Sequence, residues 1–74
     1  MTIQDAFCKN LNKRMESYGL TGMSNRELAR KSGISDTHIS NLRHNNRTPN
    51  LYTAYVISKV FGCKIDDMLE GCDE

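Results

Sequence analysis

The chain has 74 residues, 38% of them hydrophobic and 26% charged, a length that supports one small core and leaves no room for a second domain. This composition lies in the ordinary globular range and argues against disorder as the default state. The net charge of +1 conceals an asymmetry: residues 1–65 hold all 10 Lys and Arg against 4 acids, whereas residues 66–74 carry 5 acids and no base. A basic body able to attract phosphate is thus joined to an acidic end, although a solvated tail beside an average surface would look the same.

No apolar run approaches the roughly 20 residues of a membrane helix, and Met1-Thr2-Ile3-Gln4-Asp5 lacks the basic and apolar regions of a signal peptide. A cytoplasmic location with no membrane partner is expected. Cys8, Cys63 and Cys72 are odd in number and form no CxxC pair, so neither a disulfide framework nor a standard zinc site is encoded. They read as reduced thiols, and no cofactor or metal is expected.

Along the chain, Ile3, Phe7, Leu11 and Met15 recur at i, i+4 spacing and predict an amphipathic helix over 3–16. Residues 18–23, with Gly19 and Gly22, read as a loop in which Leu20 and Met23 tuck under the core. Ser24 followed three residues later by Glu27 is a capping box that opens a second helix. That helix carries Leu28 and Ala29 inward and closes at Gly33, which accepts the left-handed conformation without a Cβ penalty. Ser35 then caps a short third helix with Ile39 and Leu42 on its buried side and Arg43 near its end. After the polar segment 44–48 and Pro49, the residues Leu51, Ala54, Ile57, Val60 and Phe61 recur with helical spacing as far as Gly62. A last short helix runs from Ile65 to Leu69, with Asp66 and Asp67 in its first turn and Gly71 beyond its end. No strand pattern, repeat or low-complexity segment interrupts this order. The expected fold is all-α: a compact five-helix single domain over residues 1–74, ordered over about 3–70, with an acidic C-terminal tail.

Helices two and three, joined through a glycine turn between Ser24 and Arg43, form a helix-turn-helix arrangement, in which the first helix lies across the DNA backbone and the second enters the major groove. The stretch Ser24-Asn25-Arg26-Glu27-Leu28-Ala29-Arg30-Lys31-Ser32-Gly33-Ile34-Ser35-Asp36-Thr37-His38-Ile39-Ser40-Asn41-Leu42 resembles the DNA-binding domains of the Cro and phage-repressor family. Pro49, Leu51, Gly62, Ile65, Asp66 and Leu69 extend the resemblance over nearly the whole chain. Three departures stand out: a longer loop before Ser24, Arg43 where the family keeps glutamate, and Asn45 where it keeps glycine. Asn tolerates the left-handed conformation, so the last change is mild. The resemblance implies that Arg43 meets the helix-one candidate Arg14 as a like charge, which would send one or both toward phosphate.

With Ile39 and Leu42 inward, Thr37, Ser40, Asn41 and His44 fall on the opposite side of helix three and Asp36 at its edge. Asn can bond adenine N6 and N7 together, Thr can offer a methyl group to thymine, and Asp can accept from cytosine N4. The resemblance places base reading at Asp36, Thr37, Ser40 and Asn41. Phosphate contacts are expected from Asn25 and Arg26, where the helix start exposes free amides, and from Arg43, His44, Asn46 and Arg47. Each of these side chains could equally be solvated surface, and Asp36 could serve only the helix dipole. His38, His44 and Cys8 stand at no ligand spacing and suggest no oriented third group, so no enzyme is expected.

On helix four, Tyr52, Val56 and Val60 form a stripe beside the core stripe. It either widens the core or faces a second copy, which would set two recognition helices roughly 34 Å apart on a palindrome. The function expected is a sequence-specific regulator that binds double-stranded DNA, a repressor acting as a homodimer on a two-fold operator. The alternative is an antitoxin-like protein-interaction module in which helix four and the acidic tail bind a protein partner and DNA binding is secondary. Single-stranded RNA binding ranks below both, because Tyr18, Tyr52 and Tyr55 do not cluster on a sheet.

Overall fold

A computed structural model describes residues 1–73 and contains, among them, five α-helices: α1 (Ile3–Glu16), α2 (Asn25–Ser32), α3 (Asp36–Arg43), α4 (Leu51–Phe61) and α5 (Ile65–Met68). The all-α expectation therefore holds, with helix boundaries within a residue or two of those read from the sequence. No described helix is long and apolar enough to cross a membrane.

Helices α1 to α4 each start at a side chain that answers their unpaired amides. Thr2 caps α1 through a reciprocal box, its hydroxyl accepting from the Asp5 amide at 3.1 Å while the Asp5 carboxylate accepts from the Thr2 amide at 3.3 Å. Ser24 caps α2 by accepting from the Glu27 amide at 3.1 Å, so only the serine half of the box expected there is formed. Ser35 accepts from the His38 amide at 3.2 Å to open α3. Asn50, which follows Pro49, accepts from the Thr53 amide at 2.7 Å to open α4. Such caps contribute about 1 kcal/mol each. Gly33 (φ 79°) and Gly62 (φ 67°) end α2 and α4 in the left-handed region, as their positions predict.

Phe7, Leu11 and Met15 of α1 are fully buried against Leu28 of α2, Ile39 and Leu42 of α3, Ile57 of α4 and Met68 of α5, with Met23, Ile34 and Ala54 completing the core. Three expected core positions lie outside it. Ile3 is 41% exposed, because it occupies the first turn of α1 and the buried stripe begins one turn later at Phe7. Leu20 is fully exposed: the 17–23 loop closes on the end of α1 at Gly22 and Met23, where the Met23 amide donates to the Met15 carbonyl at 2.8 Å, leaving Leu20 at the outer tip. Gly22 permits that approach, since it stands at φ 81° and a Cβ there would meet the Met15 and Glu16 carbonyl oxygens at 3.2 and 3.3 Å. Leu51, in the first turn of α4, is 76% exposed, and the buried face of α4 is formed instead by Thr53, Ala54, Ile57 and Ser58.

A buried amide fastens α5 to α1. Asn10 donates from Nδ2 to the carbonyls of Met68 (2.9 Å) and Glu70 (3.0 Å), answering two acceptors left open at the end of a four-residue helix. Near the two ends of the described residues, the Met1 ammonium pairs with Asp73 at 2.7 Å, and the Asp73 amide donates to the Met1 carbonyl at 3.1 Å.

Candidate nucleic-acid interface

The helix that would enter a groove, α3, is held from below by α1. Ile39 and Leu42 anchor its inner side in the core, and its end is held by a polar row one step around α1 from the apolar stripe. Gln4, Cys8 and Asn12 recur at i, i+4, which places them on one face. The Arg43 carbonyl, left open at the last turn of α3, accepts from the Cys8 thiol (3.2 Å) and from Asn12 Nδ2 (3.0 Å). Gln4 holds the following loop at both ends, donating to the Asn45 carbonyl at 2.6 Å and accepting from the Thr48 hydroxyl at 2.7 Å. Asn45 stands at φ 60° and is the only non-glycine residue with positive φ among the described residues; the asparagine thus fills a left-handed position, as its place in the sequence predicts. Its own amide donates to Asp5 at 2.9 Å.

The Asp5 carboxyl is held below the ordinary carboxylate range, first by the Asn45 side-chain bond and then by the Thr2 amide. A carboxyl depressed in the folded state adds stability that is present above its unfolded value near 4 and is lost as pH falls through the lower folded value. Below about pH 4, the wild type should therefore lose stability more steeply with falling pH than Asp5→Asn. Chemical denaturation of both proteins at a series of acidic pH values checks this, and parallel curves would remove Asp5 from the account.

Arg43 does not meet Arg14. Asn12 and Arg14 are about 200° apart around α1, and Arg14 lines a cleft with Asn10, Asp67 and Glu70 on the α5 side. The Arg43 guanidinium instead donates from Nε to Asn12 Oδ1 and from Nη1 to Asn25 Oδ1, both at 2.6 Å. The like-charge conflict expected from the resemblance is absent because an uncharged amide, Asn12, occupies the facing position on α1.

On the outer side of α3, Asp36, Thr37 and His44 are exposed, and Ser40 and Asn41 are half-buried. His44 folds back on its own helix, with Nδ1 2.7 Å from the Ser40 carbonyl and 3.3 Å from the Ser40 hydroxyl. The short contact to a carbonyl requires the proton on Nδ1, which turns Nε2 outward. The Nδ1 proton is spent on the backbone carbonyl, so the Ser40 hydroxyl keeps its own proton to donate, and Asp36, Thr37, Ser40 and Asn41 are the polar side chains on this side of α3. At the ends of the two helices, Arg26, Asn46 and Arg47 are exposed and Asn25 is half-buried. The loop is kept close to α3 by the Asn46 amide, which donates to the Asn41 carbonyl at 2.9 Å.

The expected second stripe of α4 is uneven. Tyr52 is 67% exposed, whereas Val56 and Val60 are half-buried and pack on the core. Leu51 and Tyr55 extend the exposed part, and Lys59 Nζ lies 5.4 Å from the centre of the Tyr55 ring. Sequence reasoning missed Gln4, Cys8 and Asn12 as supports of α3. The signal was their i, i+4 recurrence, which an apolar-only pattern does not register.

The family model described as helix-turn-helix matches residues 13–68, which is most of the chain and includes all of α2, α3 and α4. No curated protein and no solved structure matches the chain.

Proposed function

The chain belongs to the helix-turn-helix family of Cro and phage-repressor type, a family of DNA-binding regulators, and on that footing we propose that it is a repressor acting as a homodimer on a two-fold operator. One domain, residues 1–74, carries the activity, with α3 of each copy in successive major grooves. The observation that carries this reading is the two-sided character of α3. Its inner side is fixed by Ile39 and Leu42, while Asp36, Thr37, Ser40 and Asn41 stand on the side available to base edges. Asn25, Arg26, His44, Asn46 and Arg47 flank that row as phosphate contacts, the two α2 residues beside amides that favour anions. Exposed Tyr52, with Val56 and Val60 beside it, is the surface for the second copy.

Selection of bound sequences from a random duplex library, then titration of the winner at two salt concentrations with stoichiometry recorded, tests the proposal. A palindromic motif bound by two chains is the expected result. Arg47→Ala should weaken binding on every sequence and lower the salt slope by about one, since it removes one phosphate neutralisation. An unchanged slope would return Arg47 to ordinary solvated surface.

A second reading is favoured by Leu51, Tyr52 and Tyr55, three large side chains exposed together on α4. In it the chain is a protein-interaction module of antitoxin-like kind and DNA binding is secondary. Enrichment of no duplex, with the chain remaining monomeric, would move the weight there.

A further inference from the structure

Arg43 sits at the junction of three helices, donating to Asn12 of α1 and Asn25 of α2 from the last turn of α3. Only the carbonyl oxygen of an asparagine amide can accept those bonds, so the orientation of both amides is set by the guanidinium. For Asn12, the remaining Nδ2 donates to the Arg43 carbonyl, which closes a reciprocal pair between α1 and α3. For Asn25, with Oδ1 committed to Arg43, Nδ2 is the group left to donate elsewhere. Asn25 is the first residue of α2, beside the opening amides of that helix.

We propose that Arg43 is a positioning residue of the DNA interface and does not contact phosphate itself: through its bond to Oδ1 it presents Asn25 Nδ2 to the phosphate that α2 meets. Arginine suits this role because its planar fork can engage two amides in fixed directions, which a lysine ammonium cannot. The same bonds couple the placement of α3 to the phosphate contact of α2, so the helix that reads bases and the helix that sets register are held together. This inference rests on the DNA-binding reading above, and it gives one of the residues expected to touch phosphate a different task.

The test is a double-mutant cycle of Arg43→Gln and Asn25→Ala, read as affinity for the selected duplex at two salt concentrations. Circular dichroism and thermal melting establish that each variant is folded. Arg43→Gln should weaken binding about five- to tenfold, as loss of one well-placed hydrogen bond predicts. In the Asn25→Ala background the same change should have almost no further effect, because the group it positions is gone. Arg43→Lys, which keeps the charge, should behave like Arg43→Gln. Losses that multiply across the cycle, with a salt slope lower by about one, would make Arg43 an independent phosphate contact and overturn the proposal. Recovery of wild-type affinity by Arg43→Lys would overturn it as well.

A measurement without DNA separates the geometry from the function. In the free protein, Arg43→Gln should shift the side-chain amide resonances of Asn12 and Asn25 more than those of Asn50. Unmoved Asn25 resonances would overturn the positioning role alone. A wild-type chain that binds no duplex would overturn the DNA-binding reading and this inference together.

Discussion

Phe7→Ala should destabilise the fold by about 3–5 kcal/mol, the range for removing a buried aromatic ring from a core that only partly collapses around the space. A chain of this size has a total stability on the order of 4–11 kcal/mol, so the variant should lose a large part of its margin. In a domain of this length each kcal/mol lowers the melting temperature by roughly 4–8 °C, and the expected drop is therefore about 12 °C or more. The ring is fully buried in α1, the helix that packs on both α3 and α5, so no neighbouring element can move in without disturbing another. Urea unfolding followed by circular dichroism measures the loss. Leu20→Ala is the control, since Leu20 is fully exposed at a loop tip and its truncation should change stability by no more than about 0.5 kcal/mol. Equal effects from the two variants would mean that the ring is not packed as described.

The contrast between Phe7 and Leu20 also marks what the sequence made legible. Periodicity identifies a buried stripe where a helix passes through the middle of the core, as with Phe7, Leu11 and Met15. It fails at helix ends and loop tips, because an apolar residue one turn beyond the middle of the core is covered only in part or not at all by other elements. Ile3 and Leu51 are such first-turn residues, and Leu20 is such a tip. Stop signals were more reliable, since a left-handed turn depends on the local backbone: Gly33, Gly62 and Asn45 all stand at positive φ.

Polar residues explain most of what was not legible. Asn10, Thr53 and Ser58 are buried, and a hydrophobic pattern assigns such residues outward. Whether a buried amide is tolerated depends on acceptors brought by distant parts of the chain, here the Met68 and Glu70 carbonyls for Asn10. The same limit hid the partner of Arg43. The resemblance pointed to Arg14, but which helix-one residue faces α3 is fixed by the roll of α1, and that follows from core packing. By contrast, the side of α3 turned away from the core was legible, because Ile39 and Leu42 fix the roll of an eight-residue helix.

For the proposed base contacts, Asn41→Ala is the informative change and should cost about 1–3 kcal/mol at the cognate site while relaxing preference at a single base position. Asn41 stands one residue before Leu42, half-buried on α3, where an amide can bond adenine N6 and N7 at once only if the helix lies in the groove. Alanine has the higher helix propensity, so the substitution should not weaken α3 itself, and a loss of DNA binding can be read as a lost contact. The Asn41 carbonyl, which accepts from the Asn46 amide, belongs to the backbone and survives the change, so the loop carrying Arg47 keeps its place. The two variants should therefore differ in kind: Arg47→Ala weakens every sequence and lowers the salt slope, whereas Asn41→Ala leaves the slope unchanged and equalises affinities at one position of the half-site. Binding of Asn41→Ala to a panel of single-base operator variants measures this directly. A uniform loss over the whole panel would remove Asn41 from base reading and leave Asp36 and Thr37, the exposed residues of the first turn of α3, as the side chains that distinguish sequences.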